Sequence, residues 1–159
     1  LIEINRIYLR ERLPWLDDIK TILNQQKFII TSLDEYHRGK GISYSIKLDD
    51  KIIGNIGLNW IDYNNRSCGI GYWISENHMG NGIITKSCKR LINHCFNDLE
   101  LHRVVLEAAV DNFSSISVAN RLGMRLEGSN IDREWLYDHY VDAKLYAITK
   151  PEWDQKRAS

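Results

Sequence analysis

The residues whose types and spacing offer the clearest chemistry form a short glycine-containing loop, Asn77-His78-Met79-Gly80-Asn81-Gly82. Backbone N–H groups at the start of a helix have no partner within the helix, so a loop that leads into a helix can bind an anion. Glycine at positions 80 and 82 would let the backbone approach a phosphate closely and adopt positive φ. The loop is therefore a candidate phosphate site, although two glycines alone favour a plain strand-to-helix turn.

Two common nucleotide motifs do not explain this loop. The chain lacks the G-x-G-x-x-G of dinucleotide-binding folds and the G-K-[ST] ending of a P-loop. Any phosphate bound here would belong to another class of ligand, and the flanking elements have to identify it.

Alternation of apolar and polar residues predicts the strands that position the loop, and helical spacing of apolar residues predicts its helices. Residues 1–12 and 16–38 are expected to form two or three short helices, with a capping box from Ser32 to Glu35. The predicted strands are Ile42–Leu48, Lys51–Trp60, Ser67–Ser75, Arg103–Val110, Met124–Trp135 and Tyr140–Ile148. The predicted later helices are Ile83–Phe96 and Ser114–Leu122, the second closed by Gly123.

The bulk composition bounds the class of protein. A chain of 159 residues with 43% apolar and 26% charged residues fits one globular domain, residues 1–159. Lysine plus arginine total 21 and aspartate plus glutamate total 21, so no global positive field favours nucleic acid or an anionic membrane. The chain contains no apolar run near the roughly 20 residues of a membrane span, and charges near Leu1 argue against a secretory signal. We expect a cytoplasmic protein.

The three cysteines, Cys68, Cys88 and Cys95, cannot all pair and show no C-x-x-C spacing. This pattern favours reduced, structural thiols in a reducing compartment. His78, His94 and His102 also lack the spacing that a zinc site usually needs, so no metal site is expected.

Four separated segments carry a resemblance to a known family. They are Gly71-Tyr72-Trp73-Ile74, Met79-Gly80-Asn81-Gly82-Ile83, Asn112-x-x-Ser115 and Arg121-Leu122-Gly123-Met124. In order and spacing they resemble the GNAT N-acetyltransferases. Within that superfamily the runs Ile70-Gly71-Tyr72-Trp73 and Val110-Asp111-Asn112 are similar to the bacterial RimL and RimJ enzymes, which acetylate the α-amino groups of ribosomal proteins. The resemblance covers about Ile42 to Ile148.

The resemblance implies a mixed α/β (α+β) fold, with a mostly antiparallel central sheet flanked by helices. It implies a V-shaped splay between the strand ending near Ile74 and the strand Arg103–Val110. It also implies a first strand before the first helix, which we expect to be absent from this chain. Two positions depart from the family pattern: Asn77 stands in place of the usual glutamine or arginine, and Met124 in place of phenylalanine.

The cosubstrate implied by the resemblance is acetyl-CoA, without a metal. The strand ending at Ile74 would take the pantetheine arm, the loop amides would hold the pyrophosphate, and Asn112 would hydrogen-bond the pantetheine. The cofactor-binding residues implied in this way are Tyr72, Trp73, Ile74, Met79, Gly80, Asn81, Gly82, Ile83, Asn112 and Ser115.

The catalytic residues implied by the resemblance are Ser115 as the acid and Glu134 as the base. The tyrosine that many GNAT enzymes use as the acid is replaced by Ala119. From the residues alone, Ser115 fits equally well as a hydroxyl that caps or lines the first turn of a helix. Glu134 alone would be read as a solvated carboxylate beside Arg133. Trp135, next to the candidate base, is the aromatic residue favoured as an acceptor contact.

Three functions stay open from the sequence. The first is acetylation of a protein N-terminal α-amine, possibly on a ribosomal protein, by direct attack in a ternary complex. The second is acetylation of a polyamine or aminoglycoside, for which Asp132, Glu134, Asp138 and Asp142 could supply an acidic cleft. The third is a non-catalytic acyl-CoA-binding module. No nucleic-acid or membrane partner is expected, and exposed hairpin edges make a homodimer plausible.

Overall fold

Six strands and five helices make up the computed structural model, which describes residues 1–158. The strands are β1 (Ile42–Leu48), β2 (Lys51–Asp62), β3 (Ser67–Ile74), β4 (Arg103–Ala109), β5 (Arg125–Leu136) and β6 (His139–Thr149). The helices are α1 (Arg6–Arg10), α2 (Ile22–His37), α3 (Ile83–Asn97), α4 (Phe113–Leu122) and α5 (Lys150–Ala158). Short 3-10 turns lie at Glu3–Asn5, Leu16–Asp18 and Glu76–His78. This is the mixed α/β arrangement that the sequence predicts.

The sheet has the strand order β1-β2-β3-β4-β6-β5, and within residues 1–158 every neighbouring pair is antiparallel except β3 with β4. That parallel pairing joins only Ser67–Gly69 to Arg103–Val105. Beyond Gly69 the two strands continue without pairing to each other, so a wedge opens between them. The V-shaped splay expected between these strands is confirmed.

Helix α3 packs on the sheet because its apolar residues recur every three or four positions and therefore share one face. The residues of α3 that are buried are Cys88, Leu91, Ile92, Cys95 and Phe96. In this core the Cys68 thiol donates a hydrogen bond to the Cys95 sulfur at 3.7 Å, and no disulfide joins the two residues. Burial raises the pKa of the Cys88 thiol to about 12, so it is a packing residue.

The predicted capping box at Ser32–Glu35 is wrong, because both residues lie inside α2. The helix begins eleven residues earlier, where the Thr21 hydroxyl accepts from the amide of Asn24 and the Asn24 side chain accepts from the amide of Thr21. Asparagine thus does the work that glutamate or glutamine does in the usual box. Helix α2 is one continuous element of 16 residues.

Helix α5 was not predicted, although Thr149 and Glu152 carry the capping-box spacing. The Glu152 carboxylate accepts from the Thr149 amide and hydroxyl, both at 2.7 Å. Pro151 fits the first turn because its missing N–H has no partner to lose there. Trp153 anchors α5, with its indole N–H donating to the Asn93 side chain at 2.8 Å. Within residues 1–158 no helix is long and apolar enough to cross a membrane.

Candidate functional site

The glycine loop after β3 leaves several backbone amides open. Gly80 has φ 76° and Gly82 has φ 72°, and a Cβ built on either would meet no atom within 4 Å. The amides of Gly80, Asn81 and Gly82 donate no hydrogen bond within residues 1–158. The Met79 amide differs, since it donates to the Glu76 carbonyl at 3.1 Å. The loop is an open cradle that suits a diphosphate, formed by the amides that follow Met79.

The end of β3 exposes backbone groups on the side away from β2. The Ser75 amide donates to the Ile53 carbonyl on β2 at 2.8 Å. Because strand amides alternate in direction, those of Tyr72 and Ile74 point into the wedge between β3 and β4, whereas that of Trp73 points toward β2. An extended polar chain such as pantetheine can therefore add to this edge of β3.

The first turn of α4 lies across the wedge from β3. Asn112 is the N-cap, and its side-chain oxygen accepts from the Ser115 amide at 3.1 Å. The NH₂ group of Asn112 is left to donate to a ligand. Ser115 is therefore not the residue that caps α4, and its half-buried hydroxyl is available for another role.

The Tyr72 hydroxyl is a buried polar group beside Ser115. It has no hydrogen-bond partner of good geometry among residues 1–158. Burial raises the pKa of Tyr72, and the Ser115 side chain acts in the opposite direction, which makes the two hydroxyls neighbours. A buried hydroxyl without a partner is costly unless a ligand or water satisfies it. Tyr72 and Ser115 thus mark a point where a polar ligand atom fits.

Two cavities meet at this point. The loop-side cavity, of about 520 Å³, is lined by the glycine loop together with β3 and α4. The hairpin-side cavity, of about 490 Å³, is lined by residues from α2, β2, β4 and the β5–β6 hairpin. The residues that line both cavities are Glu11, Arg12, Leu13, Tyr72, Trp73, Asn112 and Ser115. A molecule in each cavity would bring two reacting groups together there.

Glu134 lies in the hairpin-side cavity and not in the loop-side cavity. Its side chain keeps contact with solvent, yet surrounding protein atoms desolvate the carboxyl group, and this burial raises its pKa above the ordinary value. Arg133 lowers that pKa and Glu107 raises it, each to a smaller degree than burial. A carboxylate with a raised pKa, in a cavity that adjoins a second cavity, suits a general base.

Other acidic residues of the hairpin, suggested as an acidic cleft, do not reach either cavity. Asp132 and Asp142 bond to each other through the Asp132 amide, at 2.8 Å, and Asp138 pairs with His139. Trp135 stacks edge-on against Tyr140, with ring centroids 4.9 Å apart, and is not a lining residue. Of the hairpin residues singled out in the sequence, only Glu134 faces the hairpin-side cavity.

Sequence reasoning missed several charged residues that line the cavities. The carboxylates of the hairpin-side cavity that were not predicted are Glu11, Glu35 and Glu107. Arg12 links the first helical segment to the other half of the molecule through an ion pair with Asp111, at 2.6 Å. Glu107 carried a visible signal, because it is the one charged residue in an otherwise apolar stretch, Val104–Val110. The others lie in segments without a motif.

Together the split sheet, the open amide cradle and the paired cavities define a class of protein: acyltransferases that bind an acyl-CoA along a splayed strand and an acceptor beside it. Residues 4–125 match the family model described as the acetyltransferase (GNAT) domain. The chain belongs to this family, and it is an acetyl-CoA-dependent N-acetyltransferase.

Individual relatives agree with this assignment. The ribosomal-protein-serine acetyltransferase of Escherichia coli (strain K12) is 36% identical over 147 residues, covering 92% of this chain and 82% of the relative. The microcin C7 self-immunity acetyltransferase MccE, solved with acetyl-CoA and AMP, has a TM-score of 0.89 at 31% identity, covering 93% of this chain and 82% of that chain. RimL, a ribosomal L7/L12 α-N-protein acetyltransferase solved with coenzyme A, has a TM-score of 0.88 at 29% identity, covering 91% and 82%.

Proposed function

We propose that the enzyme acetylates the N-terminal α-amine of a protein, with acetyl-CoA in the loop-side cavity and the acceptor in the hairpin-side cavity. The observation that carries this division is that the two cavities share Tyr72, Asn112 and Ser115, while Glu134 lines only the hairpin-side cavity. Acetyl-CoA supplies the activated thioester. A base on one side of the shared residues and a hydroxyl among them suit direct transfer between two bound molecules.

The cofactor-binding residues proposed are those of the loop and the β3 edge. The amides after Met79 would hold the pyrophosphate, and the amides of Tyr72 and Ile74 would bond the pantetheine. The Asn112 side chain would bond it from α4. The proposed set is Tyr72, Trp73, Ile74, Met79, Gly80, Asn81, Gly82, Ile83, Asn112 and Ser115, in which Met79 and Trp73 contribute contacts other than their amides.

Glu134 is the proposed general base. A bound α-ammonium must lose a proton before its nitrogen can attack the thioester carbonyl carbon. The Glu134 carboxylate takes that proton, directly or through one water, and the desolvation that raises its pKa brings its proton affinity closer to that of an amine. The N–C bond then forms as the C–S bond breaks, and the nitrogen releases its second, now surplus, proton to solvent.

Ser115 is the proposed acid. Its hydroxyl lies where both cavities meet and is not used to cap α4. It gives its proton to the departing thiolate sulfur and regains one from solvent, while the neighbouring Tyr72 hydroxyl can donate a hydrogen bond to it. Tyr72 stays protonated at neutral pH because burial raises its pKa.

A protein α-amine is the acceptor that the relatives favour, since two of the most similar ones are named for ribosomal proteins. The hairpin-side cavity also contains the carboxylates of Glu11, Glu35, Glu107 and Glu134, with Arg12 held by Asp111. This excess of carboxylates over free cations in the cavity suits a cationic acceptor and keeps a polyamine or aminoglycoside as the second candidate.

A panel assay separates these acceptors. The protein would be mixed with acetyl-CoA and, in parallel, with serine- and alanine-initiated peptides, spermidine and an aminoglycoside, while free thiol is followed. We expect thiol release with peptides, and with the same peptides carrying an internal lysine no second acetyl group by mass spectrometry. Release only with small amines would replace the proposal by its second candidate. No release in any arm would contradict acetylation of these amines.

A further inference from the structure

An ion pair crosses the sheet beside the proposed base. The Arg133 guanidinium on β5 contacts the Glu107 carboxylate on β4, with Nε and Oε2 2.6 Å apart. Strand β6 lies between β4 and β5, so the Arg133 side chain spans an intervening strand to make this contact. Glu107 lines the hairpin-side cavity together with Glu134.

Successive residues of a regular strand point to opposite faces, so Arg133 and Glu134 would not normally share one. The pairing of β5 with β6 is interrupted here, since its register shifts between Asn130 and Glu134. Asp132, inside the interruption, has φ 48°. A bulge of this kind redirects side chains. It brings both Arg133 and Glu134 toward Glu107.

A guanidinium one residue away from a carboxylate is a natural partner for it, and pairing would hold that carboxylate ionised and engaged. In this structure the partner of Arg133 is Glu107 instead. We propose that Glu107 is a positioning residue, which holds the Arg133 guanidinium away from Glu134 and so leaves the Glu134 carboxylate free to accept the proton of the acceptor amine. This inference rests on the proposed role of Glu134 as the base.

No other charged group around the cavity, among the described residues, takes the place of Arg133 or Glu107 beside Glu134. Arg12, the cation that lines the cavity, is paired with Asp111. Strand β6 presents the uncharged Val141 opposite Glu134. The titratable groups that face the cavity, or that act on Glu134 from the elements around it, are Glu11, Arg12, Glu35, Tyr72, Glu107 and Arg133. Of these, only Arg133 and Glu107 act on Glu134 in a resolved way.

The test is a pH profile of kcat for four proteins: wild type, Glu107→Gln, Arg133→Gln and the double variant. The substrates would be acetyl-CoA and a serine-initiated hexapeptide, both saturating. A base works when it is deprotonated, so activity is lost as pH falls through its pKa. Glu107→Gln removes a group that raises the pKa of Glu134 and frees one that lowers it. We expect the acidic limb of the profile to move down by about one pH unit, because an opposite charge placed near a carboxylate lowers its pKa by about that much. The plateau value of kcat should fall severalfold.

Arg133→Gln should move the acidic limb in the opposite direction, because the cation that lowers the pKa of Glu134 is gone. The double variant removes both charges and should return the limb close to its wild-type position. Thermal unfolding and the Kd for acetyl-CoA, both near wild type in all variants, would confirm that the fold and the cofactor site are intact.

Two outcomes would overturn the inference. One is an acidic limb that stays in place in Glu107→Gln. The other is a loss at every pH as deep as that of Glu134→Gln and unrelieved by Arg133→Gln, which would make Glu107 itself a base. Wild-type turnover in Glu134→Gln would instead remove the proposed base, so failure of the two ideas can be distinguished.

Discussion

The two sides of the wedge are constructed differently. On the cofactor side, α3 buries five residues against the sheet, and the groups proposed to face the ligand are largely backbone amides of the glycine loop and β3. On the acceptor side, none of the residues Ile22–His37 is buried, and Leu136 is the sole buried residue of β5. The groups proposed to face the acceptor there are side chains. Backbone amides bind the same ligand whatever the side chains are, whereas an exposed side-chain surface can change its ligand by substitution.

The largest expected effect comes from removing the proposed general base on the acceptor side. Glu134→Gln should lower kcat by about 100- to 10,000-fold, the usual contribution of a general base. It should leave the Kd of acetyl-CoA within about twofold, because Glu134 does not line the loop-side cavity. Stopped-flow or steady-state thiol release would give kcat, and calorimetry would give the Kd. Ser115→Ala in the same assay should show a smaller loss of kcat.

The same variant also tests the pH dependence. Burial raises the pKa of Glu134, so wild-type kcat should be lost as pH falls through a value above the ordinary 4.5 of a glutamate. That limb should disappear in Glu134→Gln. Turnover equal to wild type, or an unchanged limb, would mean that another group takes the proton.

A second comparison concerns stability. Leu91 is 4% exposed in α3, whereas Leu33 is 53% exposed in α2. Leu91→Ala should lower the free energy of unfolding by about 3 kcal/mol, since a buried leucine leaves a cavity when it is truncated. Leu33→Ala should change it by less than about 0.5 kcal/mol. Urea unfolding of the two variants would measure both, and similar losses would show that α2 is as tightly packed as α3.

The smallest expected effect concerns the amide cradle. Gly82→Ala puts a side chain on a residue with φ 72°, which strains the left-handed backbone and adds a methyl group beside the proposed pyrophosphate site. The Kd of acetyl-CoA should rise about fivefold, with kcat at saturation within about twofold. Gly128→Ala is the matched control, because its Cβ also meets no atom within 4 Å and its φ is not positive. Equal binding by both variants would argue against the cradle.

Much of the fold was predictable, because its signals are local. The amphipathic pattern of α3 and the hairpin of β1 with β2 agree closely with the sequence prediction. The capping boxes show the limit of local signals. A capping box requires its serine or threonine to stand immediately before the first helical residue, and the residues alone do not say where α2 starts. Thr21 with Asn24 formed the box, whereas Ser32 with Glu35 did not.

The site was predictable where it depends on loop geometry, and less so where it depends on distant side chains. The glycine loop and the N-cap Asn112 could be placed from short motifs. Glu107 and Arg133 are 26 positions apart in the chain, and their pairing depends on the strand order and on a bulge. Neither feature has a short-range signal. Trp135 was favoured as an acceptor contact because it follows Glu134 in sequence, yet successive strand residues point to opposite faces and Trp135 does not line the hairpin-side cavity.

The short parallel pairing of β3 with β4, three residue pairs long, joins two antiparallel halves of the sheet. Each half has three strands, and the pairing between them is formed by Ser67–Gly69 and Arg103–Val105. The number of paired residues would then set how deep the thioester lies in the proposed cofactor site. One more pair would move the point where the two halves of the sheet separate by about 3.3 Å along the strands, and one fewer would move it back. The distance from the proposed thioester position to Glu134 would change with it.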